Sequence, residues 1–87
     1  MTVREKVVDT LLFLNRKFGR NSKGFIKLQL SRKEIGEYCG TSEEQVIRVI
    51  SALKSEGQLT CSGKRIRIDD PERLAEEIDQ HNFFLDN

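Results

Sequence analysis

Apolar residues recur every three or four positions over the first eighteen residues of the chain. This spacing is typical of an amphipathic helix that packs one face against a core. Thr2 and Glu5 have the spacing of a capping box, and Gly19 stands where such a helix would end. We therefore expect a first helix of about four turns. Its apolar stripe comprises Val3, Val7, Val8, Leu11, Leu12, Leu14 and Phe18.

The hydrophobic period then shortens to two. Residues 20–24 are polar and contain a glycine, which predicts a loop. From Phe25 to Leu30, the apolar residues Ile26, Leu28 and Leu30 alternate with polar ones. This alternation predicts a short strand with one buried face.

The middle of the chain contains two helix-start signals eleven residues apart. Ser31 with Glu34, and Ser42 with Gln45, each match the capping-box pattern. Gly40 follows the first of these segments, where a residue in the left-handed conformation would end a helix. We therefore expect a helix-turn-helix. Its two buried stripes would contain Ile35, Tyr38 and Cys39, then Val46, Val49, Ile50 and Leu53.

A hairpin is expected after Gly57, which predicts the end of the second helix. Strands at 58–61 and 64–68 would be joined by a two-residue turn, Ser62-Gly63. Such a hairpin forms a wing that could touch phosphates. Its inward positions are Ile66 and Ile68, and its basic positions at the tip and outer face are Lys64, Arg65 and Arg67.

A last helix is predicted by Asp70 as N-cap and Pro71 at the first helical position. Its apolar face comprises Leu74, Ala75 and Ile78. Helix, strand, helix-turn-helix and hairpin in this order describe a winged helix-turn-helix of the α+β class, a helical core with a small antiparallel wing. We assign residues 1–82 to this domain and residues 83–87 to a C-terminal tail.

The net charge of +1 conceals a division along the chain. Residues 1–68 carry a net charge of +7, and residues 69–87 carry −6. Seven basic residues and no acid lie between Arg16 and Lys33. This asymmetry favours a polyanion-binding face beside an acidic tail, although a solvated charged surface would give the same pattern.

Length and composition exclude several classes of protein. A chain of 87 residues holds one domain, and it has neither a leader-like start nor an apolar run long enough to span a membrane. We expect a soluble cytoplasmic protein. Cys39 and Cys61 lack metal-binding spacing, and His81 has no cysteine nearby, so no metal or other cofactor is expected in this chain. No catalytic set or phosphate-binding glycine loop is present, so we do not expect an enzyme.

The run LSRKEIGEYCGTSEEQVIRVISALKSEGQL, followed by the hairpin SGKRIRI, resembles the C-terminal DNA-binding domain of the Crp/Fnr family of bacterial transcription regulators. The likeness extends from about Val3 to Leu74. Members normally carry an N-terminal effector-sensing β-barrel and a long dimerisation helix, and neither is in this chain. The resemblance therefore implies a DNA-binding half whose N-terminal sensor domain is absent. It implies double-stranded DNA as partner, a homodimer as functional form, and RNA polymerase as a contact of the loop Gly19–Phe25.

The resemblance also implies base contacts from the second helix of the motif, Ser42–Ser55, placed in the major groove. Glu44 and Arg48 match a Glu and an Arg that read base edges in relatives; such an Arg donates to guanine and such a Glu accepts from cytosine. Their spacing also allows a simple surface ion pair. Glu43 stands where some relatives have Arg and others an apolar residue, and Ile47 stands where a small residue is common. Both would alter the bound sequence.

Phosphate contacts are implied at the wing and at two helix N-termini, where free amides and the helix dipole favour anions. The implied phosphate contacts are Ser31, Arg32, Lys33, Ser42, Gln45, Ser51, Ser62 and Lys64. Ordinary solvated charge is the alternative at Arg32 and Lys33. For the whole domain, the alternative function is a protein–protein interaction module, because winged helices serve in both roles. Neither the effector nor the target sequence follows from these residues.

Overall fold

The computed structural model describes the backbone of residues 1–85 and the side chains of residues 1–78. In this part of the chain, helices surround one core, and a two-stranded antiparallel hairpin lies beside them. The predicted winged helix-turn-helix of the α+β class is therefore confirmed. In chain order the elements are α1 (Val3–Phe18), α2 (Arg32–Cys39), α3 (Glu43–Ser55), β1 (Leu59–Ser62), β2 (Arg65–Ile68) and α4 (Pro71–Leu85).

The helix ends follow from local hydrogen bonds of the predicted kind. Thr2 and Glu5 form a complete capping box at α1, and Asp70 Oδ1 accepts the N–H of Arg73 at 3.2 Å at the start of α4. Gly40 ends α2 with φ of 75° in the left-handed region. Gly57 has φ of 76° after α3, where the Gln58 N–H bonds the Leu53 carbonyl at 2.9 Å.

The core lies between α1, the apolar faces of α2 to α4, and the inner face of the hairpin. Ile66 and Ile68 point inward as expected. Two residues predicted for the buried stripes of the helices are exposed: Phe18 is 39% exposed and Tyr38 is 58% exposed. Phe18 is the last residue of α1, and Tyr38 stacks on Phe13 at a ring-centroid distance of 6.1 Å instead of entering the core. The buried apolar side chains are Val7, Val8, Leu11, Leu12, Leu14, Ile26, Ile35, Val46, Ile50, Leu53, Leu59, Ile66, Ile68, Leu74 and Ile78.

The strand predicted for residues 25–30 is not formed. Its successive amides bond three separate partners: Phe25 donates to Asn21 Oδ1 at 3.0 Å, Ile26 to Ile66 O at 2.9 Å, and Lys27 to Gly19 O at 2.9 Å. A strand needs one neighbour along its length, so only an isolated bridge between Arg20 and Ile26 results. Ile26 is buried, whereas Leu28 is exposed.

The hairpin turn lies one residue later than predicted. Ser62 pairs with Arg65, so the turn residues are Gly63 and Lys64 rather than Ser62 and Gly63. Gly63 has φ of 60°, and no residue other than glycine has a positive φ in the described backbone. Glycine at the first central position with positive φ is the requirement of a type II′ hairpin turn.

The structure bears on the remaining predictions only in part. The boundary between residues 1–82 and the tail at 83–87 stays a prediction, and residues 86 and 87 lie outside the described part. The side chain of His81 also lies outside it. Cys39 and Cys61 are free and half-buried. No helix within the described backbone is both long and apolar enough to cross a membrane.

Candidate nucleic-acid interface

The face of α3 that was predicted to read bases is exposed. The opposite face is buried through Val46, Ile50 and Leu53, which fixes how the helix is rotated about its axis. Ile47 is 46% exposed. The exposed set on this face is Glu43, Glu44, Ile47, Arg48 and Ser51.

The N-terminus of α3 is only half closed by its own side chains. Ser42 Oγ accepts the N–H of Gln45 at 3.2 Å, as in a capping box. The return bond is absent from this cap, because Gln45 Oε1 accepts from the hydroxyl of Thr41 instead. The amide of Ser42 is therefore not engaged by Gln45 and is placed to donate to an anion.

The N-terminus of α2 is closed more fully. Ser31 and Glu34 form a complete capping box, with Glu34 Oε1 accepting the Ser31 N–H at 2.8 Å. Hydrogen bonds from the Ser31 backbone and hydroxyl hold the pKa of Glu34 below its usual value, and the positive charge of Lys64 acts in the same direction. The cap leaves the amides of Arg32 and Lys33 as the donors available to a phosphate at this end.

The structure joins the first turn of α2 to the tip of the wing. Arg32 Nη2 donates to the carbonyl oxygen of Gly63 at 3.3 Å, and Lys64 lies close enough to influence Glu34. The predicted phosphate contacts of α2 and of the wing, which are far apart in sequence, thus form one basic surface. This surface comprises Ser31, Arg32, Lys33, Ser62 and Lys64.

The basic side chains of this region form no ion pair with an acid among the described residues. Among side chains of residues 1–78, ion pairs join Arg4 to Glu56, Arg4 to Glu77, and Arg67 to Asp69. The Glu44–Arg48 pair that the spacing allows is not one of them. Within the described part, Arg48 therefore keeps its donors free for another partner.

Arg67 differs from the rest of the predicted wing surface. Its Nε donates to Asp69 Oδ1 at 2.8 Å and its Nη2 to Thr60 Oγ1 at 3.1 Å. The expectation that it lies on the outer face beside Lys64 and Arg65 missed these partners. The i, i+2 spacing of Arg67 and Asp69 was the available signal, since residues two apart in an extended chain share a face.

A second polar cluster, also missed by the sequence analysis, lies at the other end of α3. Arg4 on α1 donates to both oxygens of Glu56 at 2.8 and 2.6 Å and to both oxygens of Glu77 at 2.9 and 3.0 Å. Gln58 Nε2 donates to the same two acids, at 3.1 Å each. The Arg4 hydrogen bonds lower the pKa of Glu56 to about 2 and also lower the pKa of Glu77. We call these four residues the Arg4 clamp.

Comparison with known proteins supports the fold. Residues 5–77 match the model of the Crp-like helix-turn-helix domain. The chain belongs to this family. The domain is the DNA-binding part of Crp/Fnr transcription regulators, so the predicted family and the prediction of a non-enzymatic role are confirmed.

The relatives of this Crp-like domain are longer proteins. Transcriptional activator protein FnrL of Cereibacter sphaeroides is 37% identical over 83 residues, which cover 87% of this chain and 34% of FnrL. The structure of FixK2 from Bradyrhizobium japonicum has a TM-score of 0.75 at 34% identity, covering 86% of this chain and 37% of FixK2. That of the Thermus thermophilus catabolite activator protein has a TM-score of 0.73 at 28% identity, covering 85% and 32%. The chain thus spans about a third of the length of these proteins.

Proposed function

We propose that this domain binds a specific double-stranded DNA sequence by inserting α3 into the major groove. Arg48 and Glu44 read base edges, and Glu43 and Ile47 determine the flanking preference. The observation that carries the proposal is the exposed face of α3 opposite its buried stripe, on which Arg48 has no acidic partner among the described side chains. An arginine in this state donates two hydrogen bonds to guanine O6 and N7 without first breaking an ion pair.

Phosphates on either side of the groove bind the basic surface, the first turn of α3 and Ser51 further along α3. The bond between Arg32 and the Gly63 carbonyl supports this division, because it places the wing tip beside the start of α2. Such contacts position the domain but carry no sequence information. The proposed phosphate contacts are Ser31, Arg32, Lys33, Ser42, Gln45, Ser51, Ser62 and Lys64.

The larger regulator is part of the proposal as well. The chain spans about a third of the length of its relatives. From family membership we propose an N-terminal sensor domain and a homodimer that binds a palindrome. We also propose a cytoplasmic location and a contact between RNA polymerase and the loop Gly19–Phe25. Any effector is sensed by that sensor domain, and no cofactor is proposed for this domain. Only Arg32, Lys33 and Lys64 among the proposed phosphate contacts are cationic, so a single domain neutralises few phosphates. It therefore binds weakly, detectably at low salt and hardly at physiological salt.

The test is fluorescence anisotropy with a random duplex and with a palindrome selected from random sequences. Arg48→Ala should lose the preference for the palindrome by a factor of about 10 to 100, corresponding to roughly 1–3 kcal/mol for one bidentate base contact. Lys54→Ala is the matched control, because it removes one exposed positive charge from the same helix. It should keep the preference. Equal preference in wild type and Arg48→Ala would refute base reading by α3.

The exposed side chain of Ile47 favours a second candidate function, a protein-interaction module. An aliphatic residue that is 46% exposed between Glu43, Glu44 and Arg48 suits a protein partner as well as a thymine methyl group. If the wild type fails to bind DNA even at low salt, this function replaces the first. Ile47→Ala would then be the variant to test for partner binding.

A further inference from the structure

Arg67 lies where a basic wing residue would be expected to contact phosphate, yet two of its three donor nitrogens, Nε and Nη2, bond neighbouring side chains. Nε bonds Asp69 Oδ1 and Nη2 bonds Thr60 Oγ1, while the Thr60 hydroxyl donates to the Asp69 carboxylate at 3.0 to 3.1 Å. Thr60 is also the cross-strand partner of Arg67. The three side chains form a closed ring of hydrogen bonds in which the positive charge already has its counter-ion.

The other side of Arg67 packs on the loop that precedes α2. Its Cζ lies 5.5 Å from the centre of the Phe25 ring, within the range of a cation–π contact. At Gly24, which has φ of 88°, a Cβ atom would lie 2.9 Å from Arg67 Cδ. A larger residue at position 24 would therefore collide with the Arg67 side chain where it now lies.

The loop is held in this position by its own hydrogen bonds. Asn21 Oδ1 accepts the amides of Lys23 and Phe25 at 2.9 and 3.0 Å, and the Ile26 amide donates to Ile66 O in β2. Arg67 thus occupies the junction of β1, β2 and the loop. Within residues 1–78, no other wing arginine or lysine has an ion pair, which separates Arg67 from Lys64 and Arg65.

We propose that Arg67 is a positioning residue that fixes the base of the wing against the loop 20–26, and that it does not contact phosphate. Arg32 holds the wing at its tip, and Arg67 holds it at its base. Together they set where Lys64 meets DNA. The effect of Arg67 on DNA affinity rests on the proposed function. The attachment of the wing to the loop 20–26 is measurable without DNA.

The first experiment measures the affinity for a selected palindrome across a salt series. Lys64→Ala should reduce the slope of log K against log salt by about 0.9, the change expected when one phosphate contact is lost. Arg67→Ala should weaken binding by about three- to tenfold while keeping the wild-type slope. A slope reduced as much as in Lys64→Ala, or an unchanged affinity, overturns the proposal.

Two charge-matched variants separate positioning from phosphate contact more sharply. Arg67→Lys keeps the charge but not the planar guanidinium that bonds two acceptors and stacks on Phe25, so it should not restore affinity. Asp69→Asn removes the counter-ion. It should weaken binding relative to Glu72→Gln, which makes the same charge change at an exposed site in α4. The proposal is overturned if Arg67→Lys binds with wild-type affinity, or if Asp69→Asn binds more tightly than Glu72→Gln.

Amide hydrogen exchange tests the structural part whether or not DNA binds. In Arg67→Ala the amide of Ile26 should exchange about tenfold faster, while the amide of Leu11 in α1 keeps its rate. Arg65→Ala, an exposed arginine two residues away in β2, should leave both rates unchanged. If Ile26 is equally protected in wild type and Arg67→Ala, Arg67 does not fix the loop to the wing. Failure of DNA binding in the wild type would instead refute the proposed function alone.

Discussion

The two ends of α3 are held in different ways. At its N-terminus, α3 is positioned by close backbone packing, since a Cβ at Gly36 would lie 2.7 Å from Thr41 O and 3.4 Å from the Glu43 nitrogen. The charged side chains there form no ion pair with another described residue. At its C-terminus, the capping residue Glu56 is bound by Arg4 through two hydrogen bonds.

This contrast shows which charges serve the fold and which are left for a partner. The Arg4 clamp neutralises an arginine with two acids, one of them contributed by α4 from the acidic end of the chain. The cations in the N-terminal half of α3, at the start of α2 and at the wing tip have no ion pair among the described side chains. The proposed DNA-binding side therefore carries the unpaired cations, whereas the clamp at the other end of α3 is internally neutralised among the described side chains.

The largest expected effect comes from Gly36→Ala, which breaks the packing of the N-terminal end. Alanine gains up to about 1 kcal/mol in helix propensity, but the added methyl group meets a backbone oxygen that cannot move alone. We expect a net loss of about 1–2 kcal/mol in the free energy of unfolding, measured with urea, together with weaker DNA binding because α3 is displaced.

The neighbouring exposed residue supplies the control for this prediction. Glu37 lies on the solvent side of α2. Glu37→Ala should change the free energy of unfolding by less than about 0.5 kcal/mol. A Gly36→Ala protein as stable as the wild type would show that α2 and α3 separate without cost. The glycine would then have no part in positioning α3.

The next effect tests the C-terminal end. Arg4→Ala should lower the free energy of unfolding by about 1 kcal/mol, near the top of the range for exposed ion pairs, because one guanidinium joins two acids. DNA binding at low salt should change little, since Arg4 is not part of the basic surface. Lys6→Ala removes an exposed charge from the same turn region and should leave stability unaltered. Equal stability of Arg4→Ala and Lys6→Ala would mean that the clamp contributes nothing measurable.

Much of the fold was predictable from local signals. Capping residues and glycines set the ends of the helices, and these signals act over three to five residues regardless of tertiary contacts. The strand predicted from Ile26, Leu28 and Leu30 failed because alternation records only which residues prefer burial. It does not record whether a neighbouring strand is available to bond the backbone.

The candidate site divides in the same manner. The exposed face of α3 could be predicted, because the buried stripe defines its opposite. The Thr60 partner of Arg67 could not, since a turn at Ser62-Gly63 would have placed Gln58 rather than Thr60 opposite Arg67. The Arg4 clamp joins residues 52 and 73 positions apart, and no local pattern reports such a contact.

The smallest expected effect is the acid dependence of the Arg4 clamp. Hydrogen bonds from Arg4, and then from Gln58, lower the pKa of Glu56 from 4.5 to about 2 in the folded protein. Because the folded pKa lies below the unfolded one, Glu56 contributes its full stabilisation above about pH 4.5, and this contribution is lost as the pH falls toward 2. Urea unfolding at several pH values should therefore show a shallower acid-induced loss in Glu56→Gln than in the wild type, since the variant cannot titrate there. Glu34, whose pKa is also lowered, is present in both proteins and cancels in the difference. Parallel pH profiles for the two proteins would show that the clamp does not hold Glu56 in its charged form, and the two ends of α3 would then differ in packing alone.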